Sequence, residues 1–301
     1  MSGTYKAIGI NLKTAPSGES DRLLTILTEE FGLIRAIAPG ARKHKSSLGG
    51  RSGLFVVNQL LIVQGRNLDK VIQAESLESY PGLSQSLSKL TAGQYLAELA
   101  LCQALSDQPQ AELFCLIREH LSRVEKSPAT LACLTHASFH LLALAGITPQ
   151  VQECCVTRHI ITPNLSDPNW RIGFSVVSGG TVQLAELDHL SSPSRPQKKL
   201  SLLSSNSSKV SSPSSTQEHP AWVTQLNALE LWLLQRLAQP NLIQDLLQVD
   251  EAILEPNYYQ AWLSIERVLR HYAQYHLDRP IRSAALIDAC FVPANAPSPC
   301  S

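Results

Sequence analysis

Lys6-Ala7-Ile8-Gly9-Ile10-Asn11-Leu12 is the stretch on which the fold turns. Ile8, Ile10 and Leu12 alternate with Ala7, Gly9 and Asn11, the period of two expected of a half-buried strand. Working outward, Arg22 to Thr28, Leu33 to Ala38, Leu54 to Val63 and Val71 to Ala74 are short runs rich in Ile, Val and Leu, punctuated by Gly, Pro, Ser or Asn. Glu30-Phe31-Gly32 and Pro39-Gly40 read as turns between them. Five strands within residues 1–80 predict a small closed barrel of the oligonucleotide-binding (OB) type, whose loops are used to hold nucleic acid.

Beyond Pro81-Gly82 the period becomes helical. Leu96, Leu99 and Gln103 mark a helix from Thr91, and Leu113, Ile117, Leu121 and Val124 mark another from about Ala111. Ser127-Pro128 ends that helix before Leu131, Leu134, Ser138 and Leu141 mark a third. Gly146 to His189 is irregular. Leu190 to His219 is dominated by Ser with Pro, Lys and Asn, a composition that cannot bury enough surface to order itself. After Pro220, Trp222, Leu226, Leu229, Leu233 and Leu237 share one helical stripe, as do Tyr258, Trp262, Ile265, Leu269 and Tyr272. The expectation is an α+β multi-domain chain. It comprises a barrel over 1–80, a helical region over 81–149, a small irregular subdomain over 150–189 and a disordered Ser-rich insertion over 190–219. A second helical region over 220–290 packs on the first, and a flexible tail covers 291–301.

The 301 residues carry 25 basic and 25 acidic side chains. Against that balance, Phe31 to Leu68 stands out, with Arg35, Arg42, Lys43, Lys45, Arg51, Arg66 and His44 and no Asp or Glu. Four of the six bases fall in Gly40 to Arg51, read as a flexible loop between two strands. A basic loop on a small sheet suits phosphate contact, and a merely solvated loop is the bland alternative. Arg35 lies in a strand with Glu29 or Glu30 as its candidate partner across a turn, and Arg66 sits in the hairpin Gly65-Arg66-Asn67. Aromatic side chains on which bases would stack are few in the barrel: Tyr5, Phe31 and Phe55, the last expected in the core. Binding is therefore expected to be dominated by phosphate charge, with steep salt dependence.

Other classes find little purchase. The longest apolar runs fall far short of the roughly 20 residues of a spanning helix, and the N-terminus shows no basic leader and apolar block. A cytoplasmic protein without membrane contact is expected. Seven cysteines show no disulfide framework. Phosphate-binding, dinucleotide, nucleophile-elbow and zinc-helix motifs do not occur, so no catalytic residue is assigned. His136 and His140, four apart, are read as a helix-surface pair lacking a third ligand. Cys154-Cys155 with His159 lacks the second pair that a structural zinc requires, so neither zinc nor another cofactor is expected.

The chain as a whole resembles a family. Gly9-Ile10-Asn11-Leu12-Lys13, Gly18-Glu19-Ser20-Asp21-Arg22-Leu23-Leu24-Thr25-Ile26-Leu27-Thr28, Phe31-Gly32 and Ala38-Pro39-Gly40-Ala41-Arg42-Lys43 are similar to the N-terminal motifs of bacterial RecO, the DNA repair and recombination mediators. Leu269-Arg270-His271-Tyr272 and Leu277-Asp278-Arg279-Pro280-Ile281-Arg282-Ser283 resemble that family's closing helix and Arg-Pro-x-x-Ser turn. The resemblance implies association with the nucleoid, binding of single- and double-stranded DNA and annealing of complementary strands. With RecR, it implies help in loading RecA onto DNA coated by single-strand binding protein (SSB). It places DNA contacts at Arg42, Lys43, Lys45 and Arg51, with Arg35 and Arg66 ranked below. Arg118, Arg123 and Lys126 become a candidate basic patch for the acidic C-terminal tail of SSB. Many members carry a four-cysteine zinc finger. Here Cys154 takes the first ligand position, Thr157 the second, and Gln183 and Glu186 fall near the others, so the site reads as degenerate, packed instead around Ile160, Trp170, Phe174 and Val176. The rival reading is a protein-interaction scaffold with a barrel as docking module and little DNA affinity; an enzyme with a site near His136 and His140 ranks last.

Overall fold

The computed structural model describes residues 3–186, 223–249 and 255–291. The Ser-rich tract lies outside the described residues, as does the expected tail from Val292 onward; Phe291, expected as its first residue, is instead the buried end of the last helix. The described residues fall into two compact units, one drawn from Met1–Thr148 and Trp232–Ser301, the other from Pro149–Leu231.

In the first unit, β1 (Thr4–Ser17), β2 (Asp21–Thr28), β3 (Gly32–Ala38), β4 (Val57–Val63) and β5 (Asp69–Glu78) form a closed barrel in the order β1-β2-β3-β5-β4. All neighbours are antiparallel except β3 and β5, whose parallel seam rests on two residue pairs, Ala36 with Asp69 and Ile37 with Lys70. The barrel core is built from residues such as Ala7, Leu24, Ile26, Ala36, Leu60 and Ile62. The alternation expected of β1 is present, with Ala7 facing this core and Ile8 and Ile10 on the opposite face. Ile10 and its cross-strand partner Leu27 are nevertheless fully buried. Helix α1 (Leu87–Gln103) packs on β1, so this part of the barrel wall is apolar on both sides. The free outer wall is elsewhere.

The expected strand from Leu54 also begins later. Phe55 takes φ of 61°, its N–H donates to the Asn11 carbonyl at 2.9 Å, and its buried ring lies against Gly93 of α1. A Cβ on that glycine would sit 3.1 Å from the ring. Phe55 is thus core, as expected, but as a plug between barrel and helix rather than as part of β4.

Helices α2 (Ala111–Lys126) and α3 (Thr130–Leu144) follow. The chain returns with α4 (Ala228–Arg236), α5 (Leu242–Val249), α6 (Pro256–His276) and α7 (Ala284–Phe291). The long helix α6 packs on α3, and its apolar stripe, including Trp262, Ile265, Leu269 and Tyr272, is buried. The Arg279 to Ser283 turn is fixed by Glu98 of α1. The Glu98 carboxylate accepts the N–H of Arg282 at 2.9 Å and both the N–H and the hydroxyl of Ser283 at 2.8 and 2.7 Å. Ser283 immediately precedes α7, so one carboxylate orders the start of the closing helix.

The second unit carries a three-stranded sheet, β7-β6-β8, from β6 (Arg171–Ser175), β7 (Gly180–Val182) and β8 (Val223–Asn227). The stripe expected as one helix from Trp222 therefore starts as a strand. Leu226 pairs with Ile172, and the helix begins only at Ala228. Trp222 itself lies outside the described residues. Within this unit Phe174 and Val176 are buried, whereas Ile160 is 78% exposed and its neighbour Ile161 points inward at 7%. The expected packing is thus displaced by one residue at that position, and Trp170 is only half-buried.

Candidate nucleic-acid interface

The β3–β4 loop is not a loose segment. Ala41 and Leu48 belong to the barrel core, which pins the loop at two points by apolar burial. Asn11, wholly buried, donates from Nδ2 to the carbonyls of Arg51 and Gly53 at 2.9 and 2.8 Å, and Asn58 donates to the same Arg51 carbonyl at 2.9 Å. Arg22 of β2 donates from Nη1 to the Gly49 carbonyl at 3.2 Å and the Ser52 hydroxyl at 3.0 Å. The β1–β2 turn holds the other end. Arg42 N–H donates to the Ser20 carbonyl at 2.8 Å, and Gly40 N–H to the Asp21 carboxylate at 2.8 Å. Expected as flexible, the loop is instead a series of hydrogen-bonded turns.

On this frame Arg42, Lys43, Lys45 and Arg51 are exposed. Arg42 and Arg51 each use one guanidinium nitrogen on a backbone carbonyl, Gly18 at 3.1 Å and Ser47 at 2.7 Å. None of the four enters an ion pair among the described residues, where the salt bridges involve only Arg118, Arg123 and Arg270 as cations. Arg35 is exposed on β3, in register with Thr25, which is in turn in register with Lys13 of β1. The expected partnership with Glu29 or Glu30 is absent among these salt bridges, and the Glu30 carboxylate accepts the N–H of Ile8 at 3.2 Å instead. Next to this row runs a second one, Ala15, Leu23, Ile37 and Lys70. The outer wall of β1, β2 and β3 thus presents half-exposed Leu23 and Ile37 framed by Lys13, Arg35 and Lys70.

Lys70 also links wall to loop. The Asp21 carboxyl is held below its ordinary range, first by the Gly40 N–H and the Ser20 hydroxyl, and further by the charges of Lys43 and Lys70. Both ammonium groups therefore lie near one carboxylate. Lys13, Arg22 and Lys70 were missed in the sequence because each sits singly in a strand, and only the register brings them beside the loop. Arg66 is not brought there. Because β5 runs parallel to β3 at the seam, the residues before Asp69 lie toward the N-terminal end of β3, whereas the basic loop leaves its C-terminal end. Arg66 shares that other end with the Tyr5–Phe31 ring pair, 4.8 Å between centroids, and with Asp69, which accepts the Tyr5 hydroxyl.

The helical part of the first unit holds an open groove of about 710 Å³ lined by Arg118, Arg123 and Lys126 together with Pro128, Ile243 and Leu247. The three cations expected as a patch therefore share one concavity. Arg118 pairs with Glu78 at 2.6 Å and Arg123 with Glu119, whereas Lys126 is exposed without an ion pair among the described residues.

In the second unit Cys154 is fully buried, and two loops converge on its sulfur, which accepts the N–H of Thr157 at 3.5 Å and of Gln183 at 3.4 Å. Burial raises the thiol pKa, but these hydrogen bonds and that of Val156 more than offset it and leave it below the ordinary value. The turns are those of a metal knuckle, but the positions aligned with ligands offer one thiol, a hydroxyl, an amide and a carboxylate. That set does not fit structural zinc, which takes thiolate and imidazole. Elsewhere, His136 is buried to 1% and meets His140 and also His120 of α2, so the pair expected on a helix surface is neither superficial nor a pair.

No described helix is long and apolar enough to cross a membrane. Residues 1–80 match the family model described as Recombination protein O N terminal, and residues 84–242 match Recombination protein O C terminal. The chain is 56% identical to the DNA repair protein RecO of a Cyanothece species, with 98% of this chain and 99% of that protein covered. It is 54% identical to that of a Nostoc species, with 97% of each covered, and 39% identical to that of Thermosynechococcus vestitus, with 99% and 100% covered. An OB-type barrel bearing a rigid cationic loop, joined to this helical architecture and matched from end to end, places the chain in the RecO family of DNA repair proteins.

Proposed function

We propose that this protein is a non-catalytic DNA-handling mediator of the cytoplasm that binds single- and double-stranded DNA through the barrel and anneals complementary strands. The observation that carries the reading is the loop from Gly40 to Arg51. It holds four exposed cations on a frame tied down by Asn11, Arg22, Asn58 and Leu48, beside a wall framed by Lys13, Arg35 and Lys70. A rigid array of cations releases condensed counterions from phosphates while losing little of its own conformational freedom. Annealing needs two polyanions held together, and that requires neutralised phosphates rather than bond-making chemistry. With one exposed aromatic side chain in the barrel, Phe31 at 38%, base stacking contributes little and sequence preference is weak.

By its family, the protein acts with RecR and delivers RecA to SSB-coated DNA. The groove lined by Arg118, Arg123 and Lys126 suits the SSB C-terminal tail, since its apolar floor and basic rim match an acidic peptide ending in an aromatic side chain. No cofactor is needed for any of these roles.

The test is a salt titration of fluorescent single-stranded DNA binding with the wild-type protein and a variant carrying Arg42→Ala, Lys43→Ala, Lys45→Ala and Arg51→Ala. Log affinity is expected to fall linearly with log salt, and loss of four phosphate contacts should make the slope shallower by about 3. Identical slopes would move the DNA site off the loop, and absence of binding by either protein would favour the scaffold reading.

A further inference from the structure

The α2–α3 hairpin carries a cluster that DNA binding does not use. His120 of α2 and His136 and His140 of α3 pack ring to ring, with centroids 4.1 to 5.5 Å apart. One ligand nitrogen from each lies within 4.8 Å of the other two. His120 and His136 are 1% exposed, and His140 is half-buried.

The hydrogen bonds orient two of the rings. A carbonyl oxygen only accepts, so His136 Nε2 donates to Gln239 O and His140 Nε2 donates to Leu237 O, each at 2.8 Å. In the neutral rings this leaves Nδ1 of both as bare lone pairs turned away from those carbonyls. His136 Nδ1 is buried without a hydrogen-bond partner, and so is His120 Nδ1. His120 Nε2 stands 3.1 Å from His140 Nδ1 and, in the ion-free rings, donates its N–H to that lone pair; to ligate through Nε2, His120 carries its proton on the unpartnered Nδ1 instead. At metal–nitrogen distances of about 2.0–2.1 Å, tetrahedral ligands lie about 3.3–3.4 Å apart, so this pair needs little adjustment to share an ion. Backbone carbonyls that receive the second N–H of a ligating histidine are the usual support of such a site.

Burial keeps the rings neutral, which is the ligating form. It pushes His136 down to about 4, assisted by His140, and lowers His120 and His140 as well. Arg123, whose charge also lowers all three, is ion-paired with Glu119, whose own charge favours positive charge at His140.

We propose that His120, His136 and His140 form a binding site for one divalent first-row transition ion of the Zn²⁺ class, clamping α2 to α3 and both to the carbonyls that follow α4. Three imidazoles leave a fourth position for water, and the exposed edge of His140 gives the ion its entry. This site is separate from the degenerate knuckle around Cys154.

The full chain, stripped with a chelator and dialysed, is titrated with Zn²⁺ against a chromophoric competitor and separately loaded with Co²⁺. Three proteins are compared: wild type, His140→Gln at the half-exposed position, and the double variant Cys154→Ser, Cys155→Ser. Expected are one Zn²⁺ per wild-type chain, the same in the cysteine variant, and affinity more than about 100-fold weaker in His140→Gln. Wild-type Co²⁺ should show the visible bands of nitrogen and oxygen ligation without thiolate charge transfer, a readout that does not require any variant to fold. No bound Zn²⁺, retention at full affinity in His140→Gln, or a thiolate charge-transfer band would each overturn the assignment.

Discussion

The two ends of β3 show how one strand serves two purposes. At its N-terminal end the turn Glu29 to Gly32 is locked onto the connector between α1 and α2. Leu33 N–H donates to Leu105 O at 2.8 Å, Gln110 N–H donates to Glu29 O at 2.9 Å, and Gly32 bridges to Ser106. Acidic groups gather there: the Glu30 carboxylate accepts the Ile8 N–H, and the Tyr5 hydroxyl pKa is raised by burial and then by Asp69 and Asp107. At its C-terminal end the chain enters the cationic loop, whose tethers are all to the barrel itself and whose charges face solvent. One end is thus committed to holding the helices, and the other is the end at which the proposed DNA contacts lie. The barrel is polarised, which the overall balance of 25 basic and 25 acidic residues conceals and the acid-free stretch Phe31 to Leu68 already signals.

The comparison can be broken most strongly at the docked end. Gly32 has φ of +67°, and a Cβ there would overlap the carbonyl oxygens of Leu105 and Gln108. Gly32→Val is expected to destabilise the protein by about 3 kcal/mol, from strain at a left-handed residue together with a backbone collision. Denaturant melts measure it, and DNA affinity of the remaining folded protein should be unchanged if the two ends are independent.

Next in size is a paired charge reversal. Lys70→Glu should weaken single-stranded DNA binding about tenfold at low salt and make the salt slope shallower, because Lys70 lies between wall and loop. Arg66→Glu, at the other end, should change it by less than about twofold. Equal losses would mean that DNA wraps the whole barrel rather than one end.

The smallest expected effect sharpens how the loop is held. Asp21 has a lower pKa folded than unfolded, so its contribution is fully present above the ordinary carboxylate value of about 4 and is lost as pH falls through the lower folded value. Asp21→Asn should therefore narrow the gap in melting temperature between neutral and acid pH. An unchanged profile would mean that the Gly40 contact does not hold the loop.

Much of this was legible in the sequence, for local reasons. Strand alternation, the Ser127-Pro128 break and the acid-free basic segment are all written in contiguous sequence, and the structure contains a five-stranded barrel and helices accordingly. What failed was non-local. Leu54-Phe55-Val56 has the composition of a strand, but Phe55 is taken by Gly93 of α1. Val223 to Asn227 fits a helical stripe, but its partner β6 lies some fifty residues earlier. His120 was passed over because no spacing rule joins it to His136. The signal lay in the break itself, since these residues stand eight positions either side of Pro128 and an antiparallel hairpin must bring them together. The loop's rigidity was equally hidden, because Leu48 looks like an ordinary leucine among serines and glycines until its burial in the barrel core is seen.

The seam between β3 and β5 has a consequence for mechanics. A cylinder stitched along most of its joints by five or more residue pairs, but along one by only two, has a preferred line of rupture. Lys70 sits on that line, and Lys43 stands near it through their common neighbour Asp21. A phosphate chain gripping both ammonium groups would act as a staple across the weakest stitch, so cargo and container would hold each other closed.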